Sequence, residues 1–421
     1  MFLALLLCLP LFRDAAPAWP LDGYASTGIG RLRDTAALTK SGTASPTLFP
    51  GALLPTKQVD IRLADRAPLS LPTVDTKLTD DIVKFLGKDA DHYSLAVLDL
   101  SDPDAPRYAE HRAGERINPG SVGKLVVAMA IFQLLADLYP DDTGARMRVL
   151  RDTMITADEF IQYDSHPVRI RDRDSEQLVW RQLRMGDRGN LWEFLDWMLS
   201  ASSNAAASMV IKQAMLLKEF GRSYPVATEV QDRFFRETPK QQLSATLAGI
   251  LQSPVARNGL DPDSLRQGSF FTSTGKQRVP GTSSYATSRE LMRYLLKLEQ
   301  GRLVDAFSSR QIKRLLYLTE RRIRYASAPA LGNAAVYFKS GSLYKCRPEP
   351  DFKCRKYHGN VWNMMNSVAI IEAPAGERKL FYLVTLMSNV LYKNSAVEHQ
   401  TLAMRIQRLM ERDHAVARAA R

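Results

Sequence analysis

The sequence predicts an α+β fold, an α/β sandwich in which both ends of the chain build one antiparallel sheet and the middle forms an all-helical lobe. Two strand patterns precede Ser121, helical patterns dominate from there to about Gln252, and strand patterns return after Asn333 before a closing helix. A helical insertion between two halves of a sheet usually leaves a cleft between the lobes. We therefore expect one two-lobed catalytic unit over residues 76–412.

The individual elements follow from the spacing of apolar residues. Leu78 opens an amphipathic helical pattern, and two alternating segments on either side of the turn at 101–106 predict a hairpin. An irregular, charged insertion occupies residues 163–181. The predicted strands are residues 93–100, 107–111, 335–340, 361–372 and 379–387, and the later helices are residues 191–200, 205–217, 288–298, 309–318 and 395–410.

The N-terminal segment predicts export. Residues 2–12 are almost wholly apolar, and Ala16 and Ala18 place small residues where a signal peptidase reads the chain. This apolar run is too short to cross a bilayer, which needs about 20 residues. We therefore predict a cleaved signal peptide over residues 1–18, no membrane span, and a mature protein in the bacterial periplasm or cell envelope.

Two segments outside the catalytic unit show little periodicity. Residues 19–75 are rich in Ala, Thr, Ser, Pro and Gly, which predicts an N-terminal extension or linker. Residues 413–421 are basic and rich in Ala and Arg, which predicts a frayed tail.

The charge balance restricts the partners. The chain has 57 Lys and Arg against 45 Asp and Glu, a formal net charge of +12. The basic residues are scattered and form no Lys/Arg-rich arm, so we expect no nucleic-acid partner. In an exported protein, this excess of positive charge favours acidic surroundings such as a cell-wall polymer.

Two cysteines remain once the signal peptide is removed with Cys8. Cys346 and Cys354 lie eight positions apart in a chain that we expect to be exported, so we predict a disulfide between them. His358 is the only additional metal ligand nearby, which is too few for a metal site. We expect neither a metal nor a cofactor.

The first chemical motif is Ser121-x-x-Lys124, which follows a Pro-Gly break and opens a long apolar stretch. Residues three apart share one face of a helix, so the hydroxyl and the amine are within reach of each other. Burial lowers the pKa of a lysine, and a neutral lysine can activate a serine nucleophile. Taken alone, the pattern also fits a capping serine and a lysine that extends to solvent.

Two further motifs follow along the chain. Ser202-x-Asn204 lies between two apolar helices, a position that is also typical of a helix cap. Lys339-Ser340-Gly341 ends a predicted strand, where glycine permits close approach of another backbone or a ligand. Alone, this third pattern also fits a strand that ends in a turn with an exposed lysine.

In this order and on these elements, the three motifs resemble those of the class A β-lactamase-like and penicillin-binding family of active-site-serine hydrolases. The resemblance covers residues 76–412. It implies that Ser121 attacks a carbonyl carbon and carries the acyl group, that Lys124 helps to remove its proton, and that Ser202 relays a proton to the leaving nitrogen.

The same resemblance implies a substrate-binding set. Asn204 would hold a side-chain amide of the substrate, Lys339 would supply positive potential, and Ser340 would bind the substrate carboxylate beside Gly341. Backbone N–H groups of Ser121 and Ser342 would form an oxyanion hole, which stabilises the negative charge that develops on the carbonyl oxygen.

The chain departs from the family pattern in several places. Ser203 stands where the family commonly has Asp, and insertions lie between Met147 and Arg184 and between Gln252 and Thr282. The family's deacylating Glu has one positional candidate, Glu237, but the Leu-Asn pair expected after it is absent. Glu237 fits a solvated charge near a helix start better than it fits a general base.

The resemblance leaves three functions open. The first is an exported serine hydrolase that cleaves a β-lactam or a related amide through an acyl-enzyme. The second is a D-alanyl-D-alanine carboxypeptidase or transpeptidase acting on cell-wall peptides, and the third is a sensor that is acylated by penicillin without turnover. In each case the partner is a small molecule or a cell-wall peptide, and we expect a monomer.

Overall fold

One antiparallel sheet joins the two ends of the chain, as predicted. The computed structural model describes residues 22–42, 50–172 and 174–419, so the predicted signal peptide lies outside the described residues. In spatial order the sheet consists of β2 (Arg107–His111), β1 (Tyr93–Asp99), β11 (Leu380–Asn389), β10 (Trp362–Ala373) and β9 (Ala335–Lys345). Each neighbouring pair is antiparallel.

The described chain also contains α-helices and short strands. The helices are α1 (Tyr24–Thr27), α2 (Gly30–Lys40), α3 (Thr76–Val83), α4 (Lys124–Leu138), α5 (Thr143–Asp152), α6 (Leu191–Leu199), α7 (Asn204–Phe220), α8 (Thr228–Glu237), α9 (Lys240–Arg257), α10 (Ser273–Arg278), α11 (Ser288–Glu299), α12 (Ala306–Tyr317) and α13 (Ser395–Ala419). The short strands pair as β3 (Met154–Thr156) with β6 (Arg188–Asn190), β4 (Val168–Arg171) with β5 (Leu178–Arg181), and β7 (Leu265–Arg266) with β8 (Tyr285–Ala286).

The sheet separates two hydrophobic cores, which confirms the predicted sandwich. Along β1, Ala96 and Leu98 face the core of the helical lobe, whereas Leu95 and Val97 face the core beneath α3 and α13. Successive side chains of a strand point to opposite faces, so one strand can serve both cores only if it is apolar throughout.

Helix α4 occupies the centre of the helical lobe. Its residues from Lys124 to Leu135 are buried, which explains why the sequence is apolar on every side. Within the part of the chain that the structure describes, Gly120–Leu138 is the one helical stretch apolar and long enough to cross a membrane. Because 78% of its most apolar window is buried inside the protein, the core accounts for this composition.

The predicted linker at 19–75 is corrected by the structure. Helices α1 and α2 pack on the helical lobe, where Ile29 and Leu32 are fully buried. The Arg31 guanidinium lies 2.5 Å from the Asp196 carboxylate and 3.1 Å from the Glu320 carboxylate. Two apolar residues three positions apart give too weak a periodic signal to predict a docked helix from sequence.

Two further predictions need correction. The charged insertion at 163–181 is not wholly irregular, because it contains the β4–β5 hairpin. The tail that we predicted to fray from Asp413 continues helix α13. There, Asp413 accepts a hydrogen bond from Arg107 at 3.1 Å, and His414 lies 2.8 Å from Asp99, so both fasten the helix to the edge of the sheet.

Candidate active site

The fold brings the three sequence motifs to one cavity between the sheet and the helical lobe. Its volume is about 1040 Å³. The predicted residues that line it are Ser121, Ser202, Asn204, Ser340, Gly341 and Ser342. The two predicted lysines lie beneath this lining and are almost completely buried, Lys124 at 0% exposure and Lys339 at 2%.

Ser121 lies in the tight turn Gly120–Gly123 immediately before α4, and strand β9 passes directly beside this turn. A side chain at Gly341 would place its Cβ 2.3 Å from the carbonyl oxygen of Pro119 and 2.7 Å from the Ser121 nitrogen. Only glycine permits this approach. Because of this close packing, the Ser121 N–H lies next to β9, near Ser342.

Lys124 makes three short contacts with the other motifs. Its Nζ lies 3.1 Å from Ser121 Oγ, 2.7 Å from the Ser202 carbonyl oxygen and 2.8 Å from Asn204 Oδ1. The carbonyl and amide oxygens can only accept hydrogen bonds. A neutral amine that donates to both has its lone pair available for the Ser121 hydroxyl proton.

The environment of Lys124 favours this neutral amine. Burial lowers its pKa, the negative charge of Asp164 opposes this and the positive charge of Arg321 adds to it, with a net pKa of about 7. The ring of Phe271 lies 4.9 Å from Nζ and helps to exclude water. At neutral pH a large fraction of the protein therefore has Lys124 in the form that can accept a proton.

Ser202 occupies a strained backbone position between α6 and α7. Its φ is +63°, a value that a non-glycine residue rarely adopts. This conformation directs the Ser202 carbonyl to Lys124 and leaves Oγ as the acceptor of a 2.9 Å hydrogen bond from Lys339 Nζ. Ser202 therefore touches both buried lysines.

Lys339 is surrounded by positively charged side chains. Burial lowers its pKa well below the usual value, and the charges of Lys124, Arg324 and Arg321 lower it further. Simultaneous protonation of the two lysines is therefore unfavourable. An anionic group beside Lys339 would raise its pKa again, so the site is electrostatically suited to a substrate carboxylate.

Further cations surround the same cavity, at Lys276, Arg321, Arg324 and Lys356. Arg324 Nη2 donates a 3.1 Å hydrogen bond to Ser342 Oγ, and its guanidinium lies 4.5 Å from the centre of the Tyr357 ring. These side chains give the cavity a positive wall next to β9.

The predicted disulfide between Cys346 and Cys354 is confirmed, with the sulfur atoms 2.10 Å apart. It closes the loop that follows β9. Lys356 and Tyr357, which come directly after this loop, line the cavity. The disulfide therefore restrains a segment that borders the candidate site.

The structure also brings Asp164 and His166 to the site, which sequence reasoning missed. His166 lines the cavity, and its Nδ1 lies 2.6 Å from Asp164 Oδ1. Asp164 Oδ2 accepts hydrogen bonds from Ser203 Oγ at 2.8 Å and from the Ala205 N–H at 2.9 Å. Both residues lie in the charged insertion, and no spacing pattern there could have indicated their position.

Gln267 is a second lining residue that the motifs did not indicate. It comes from the other insertion, and its Oε1 is buried with no hydrogen-bond partner among the described residues. A Cβ on Gly123 would lie 2.1 Å from this oxygen, so a larger residue at 123 would displace the Gln267 side chain.

Glu237 is not brought to this cavity. It is the last residue of α8, its side chain is 61% exposed, and its carboxylate lies 3.3 Å from Arg236. This placement is that of a solvated charge at a helix end. It gives no support to the hypothesis that Glu237 activates a water molecule for deacylation.

A family model of the beta-lactamase enzyme family matches residues 77–406 of the chain. No curated protein matches it. The fold is similar to that of a mutant of PBP-A in an acyl-enzyme complex with penicillin G, at 12% identity and a TM-score of 0.53 over 82% of this chain and 100% of the other.

Two other solved structures have the same fold. A β-lactamase from Sphaerobacter thermophilus is 14% identical to this chain, with a TM-score of 0.52 over 80% of this chain and 98% of the other. A class A β-lactamase representative from Bacteroides cellulosilyticus is 13% identical, with the same TM-score and coverage. Identities this low establish the shared fold alone.

Proposed function

The chain belongs to the beta-lactamase enzyme family, and we propose that it is an exported serine hydrolase that cleaves a β-lactam or a related amide through an acyl-enzyme on Ser121. The observation that carries this proposal is the 3.1 Å contact between Lys124 Nζ and Ser121 Oγ in a site that favours a neutral lysine. The apolar residues 2–12 and the disulfide support export.

Acylation would proceed in two steps. Lys124 takes the hydroxyl proton of Ser121 as Oγ attacks the amide carbonyl carbon, and the resulting oxyanion accepts hydrogen bonds from the Ser121 and Ser342 N–H groups. The carbon–nitrogen bond then breaks as Ser202 Oγ gives its proton to the leaving nitrogen, and the proton that Lys124 took from Ser121 replaces it on Ser202 Oγ. Lys339, 2.9 Å from that oxygen, supports this transfer.

The charges around the cavity support a substrate with a carboxylate. Arg324 and Lys339 lie beside Ser340 and Ser342 at the edge of β9, where a carboxylate would meet both positive charge and hydroxyl donors. Asn204 lines the cavity and would contact the other side of the substrate. These roles are part of the proposal.

A second candidate function is a D-alanyl-D-alanine peptidase, and the position of Glu237 favours it. Glu237, the positional candidate for the deacylating base of the family pattern, is exposed outside the cavity and cannot serve as that base. The volume of about 1040 Å³ also reaches the upper end of the range of roughly 300–1,000 Å³ that is usual for small-ligand pockets. A longer peptide would make use of this space.

Intact mass spectrometry tests the proposal. Purified protein is mixed with a slight excess of penicillin, and the mass is followed for one hour, with Ser121→Ala as the matched variant. We expect a penicillin adduct on the wild type and none on Ser121→Ala, because the variant lacks the nucleophile.

The time course separates the candidate functions. An adduct that disappears while repeated additions of penicillin are consumed supports the hydrolase, and a persistent adduct with release of D-alanine from a muramyl peptide supports the peptidase. A persistent adduct without peptide cleavage identifies a sensor. Labelling of Ser121→Ala at the wild-type rate would contradict the assignment of the nucleophile.

A further inference from the structure

We propose that His166, oriented by Asp164, is the general base that activates water for hydrolysis of the acyl-enzyme. This inference rests on the proposed acyl-enzyme at Ser121 and adds the group that would release it. His166 would act as a catalytic residue because it faces the cavity, and Asp164 would act as a positioning residue through the imidazole.

The contact with Asp164 fixes the tautomer of the imidazole. A carboxylate can only accept a hydrogen bond, so Nδ1 of His166, 2.6 Å away, carries the hydrogen. The lone pair is then on Nε2, which has no hydrogen-bond partner among the described residues. A histidine held in this way through one nitrogen is prepared to accept a proton at the other.

Asp164 is itself fastened to the Ser-x-Asn motif. Its second oxygen accepts hydrogen bonds from Ser203 Oγ and the Ala205 N–H, and only 4% of its side chain is exposed. The same motif supplies Ser202 and Asn204 to the cavity. Through Asp164, the insertion therefore holds the His166 imidazole next to the motif that supplies Ser202 and Asn204.

The rest of the insertion is anchored to the helical lobe. Trp197 Nε1 in α6 donates a 3.0 Å hydrogen bond to the carbonyl oxygen of Arg169 in β4, which begins two residues after His166. Trp180 in β5 lines the same cavity. The hydrogen bond from Trp197 attaches β4, and with it the segment that carries His166, to the helical lobe.

The charges that face His166 favour the neutral imidazole at pH 7. Burial lowers the pKa of His166 below its ordinary value of 6.5, Lys124 and Arg321 lower it further, and Asp164 opposes them. The side chain is nevertheless 27% exposed, so water in the cavity can reach it. A neutral and accessible imidazole is the form that a general base needs.

The other carboxylates near the site are poorly suited to this role. Glu237 lies outside the cavity. Glu320 lines it, but its carboxylate lies 3.1 Å from Arg31, only 8% of its side chain is exposed, and burial raises its pKa. Lys124 is the remaining competitor, because it would be free to accept a proton after acylation.

The proposed step is a simple ester hydrolysis. The oxygen of a water molecule bonds to the acyl carbon as its proton passes to Nε2 of His166. The bond between that carbon and Ser121 Oγ then breaks, and the proton returns from Nε2 to Oγ. The products are a free carboxylic acid and the regenerated Ser121 hydroxyl.

The test measures acylation and release separately. Wild-type protein, His166→Asn and Asp164→Asn are each labelled with penicillin, excess reagent is removed, and loss of the adduct is followed by intact mass. We expect an adduct to form on both variants, and we expect the adduct on His166→Asn to persist about 10²–10⁴-fold longer than on wild type. His92→Asn, a change at an exposed histidine, is the matched control and should decay like wild type.

The pH dependence of release gives a readout that a purely structural role would not change. In wild type, release should slow as the pH falls through a midpoint below 6.5, because protonated His166 cannot accept a proton. Asp164→Asn should move this midpoint to still lower pH, since the carboxylate that raises the His166 pKa is gone. The pH profile of the wild type can be measured even if neither variant folds.

The outcomes separate this inference from the proposed function. A wild-type protein that forms no adduct would overturn both. An adduct that forms normally but decays at the same rate in His166→Asn and wild type would overturn only the role of His166 and assign release to Lys124. A wild-type adduct that never decays would also overturn it.

Discussion

A single buried amine connects the three motifs of the site. Lys124 contacts Ser121, Ser202 and Asn204 within 3.1 Å, so its protonation state affects nucleophile, proton relay and substrate contact together. Lys339 is buried in the same way, and the proximity of two amines disfavours protonation of both. The net charge of the site therefore depends on the coupled protonation of both lysines and on the charge of the substrate.

The rate of acylation should follow the titration of Lys124. Because burial lowers its pKa to about 7, the rate with penicillin should rise as the pH increases through about 7 and level off above it. Arg321→Gln removes a positive charge that lowers this pKa, so the midpoint should move to higher pH. Stopped-flow or quenched mass measurements across pH 5–9 provide the profile.

Lys124→Ala is the matched loss-of-base variant. Its acylation should slow by about 10²–10⁴-fold, the usual range for loss of a general base, and should no longer depend on pH near 7. Acylation that kept the wild-type midpoint in Lys124→Ala would assign the titration to another group.

The predictability of the site differed from residue to residue. Ser121 and Lys124 could be paired from sequence because a helix repeats every three to four residues, and Ser202 and Lys339 followed from motif order. His166 could not be placed, since its position depends on a tertiary contact of Asp164 with the start of α7. Glu237 shows the reverse case, where a plausible spacing in sequence led to an exposed surface position.

At the scale of elements, the long strands and helices were predictable because their apolar residues keep one period. The predicted strand 335–340 corresponds to β9, which continues to Lys345. Those last residues were missed because they alternate poorly and are mostly exposed. Helix α2 was missed for the related reason that only a few of its residues are buried.

A buried histidine connects helix α13 to the sheet. His399 Nδ1 lies 2.9 Å from Ser367 Oγ in β10, and Nε2 lies 2.9 Å from Ser388 Oγ in β11. Burial, together with the positive charge of Arg324, lowers its pKa to about 3. The folded protein therefore holds this imidazole in its neutral form.

Acidification should weaken the fold through this residue. The unfolded chain binds a proton at His399 below about pH 6.5, whereas the folded chain does not, so stability is complete above that pH and declines toward pH 3. The slope reaches at most about 1.4 kcal/mol per pH unit. Urea unfolding at pH 7 and pH 5 should show a smaller loss in His399→Gln than in wild type. The exposed His92→Gln should retain the full wild-type loss.

At the scale of the whole molecule, the N-terminal helices are joined to the helical lobe by buried charges. Arg31 in α2 contacts Asp196 in α6, which is fully buried, and Glu320, which is nearly so. It also donates a 3.0 Å hydrogen bond to the Leu318 carbonyl oxygen. Because Glu320 also lines the cavity, its contact with Arg31 connects the N-terminal helices to the candidate site.

Removing this charge should destabilise the entire domain. Arg31→Met leaves the buried Asp196 carboxylate without its ion-pair partner, whereas Glu320 retains Arg169 at 3.6 Å. Removing one partner of a buried ion pair typically costs about 3–5 kcal/mol in the free energy of unfolding. Arg33→Met is the matched control in the same helix, because Arg33 is 46% exposed and its pair with Asp34 should contribute less than about 1 kcal/mol. Equal unfolding midpoints in urea for the two variants would contradict the structural role of Arg31.

The pairing of β1 with β11 also decides when the fold can be completed during biosynthesis. Tyr93 is paired with Ser388, so the centre of the sheet waits for a strand that is translated almost 300 residues later. Until then β1 and β2 are a two-stranded hairpin, which is barely stable in water and has an open edge. The five-stranded sheet can therefore close only after almost the whole chain has been synthesised, and the early hairpin must stay unpaired at this edge until then.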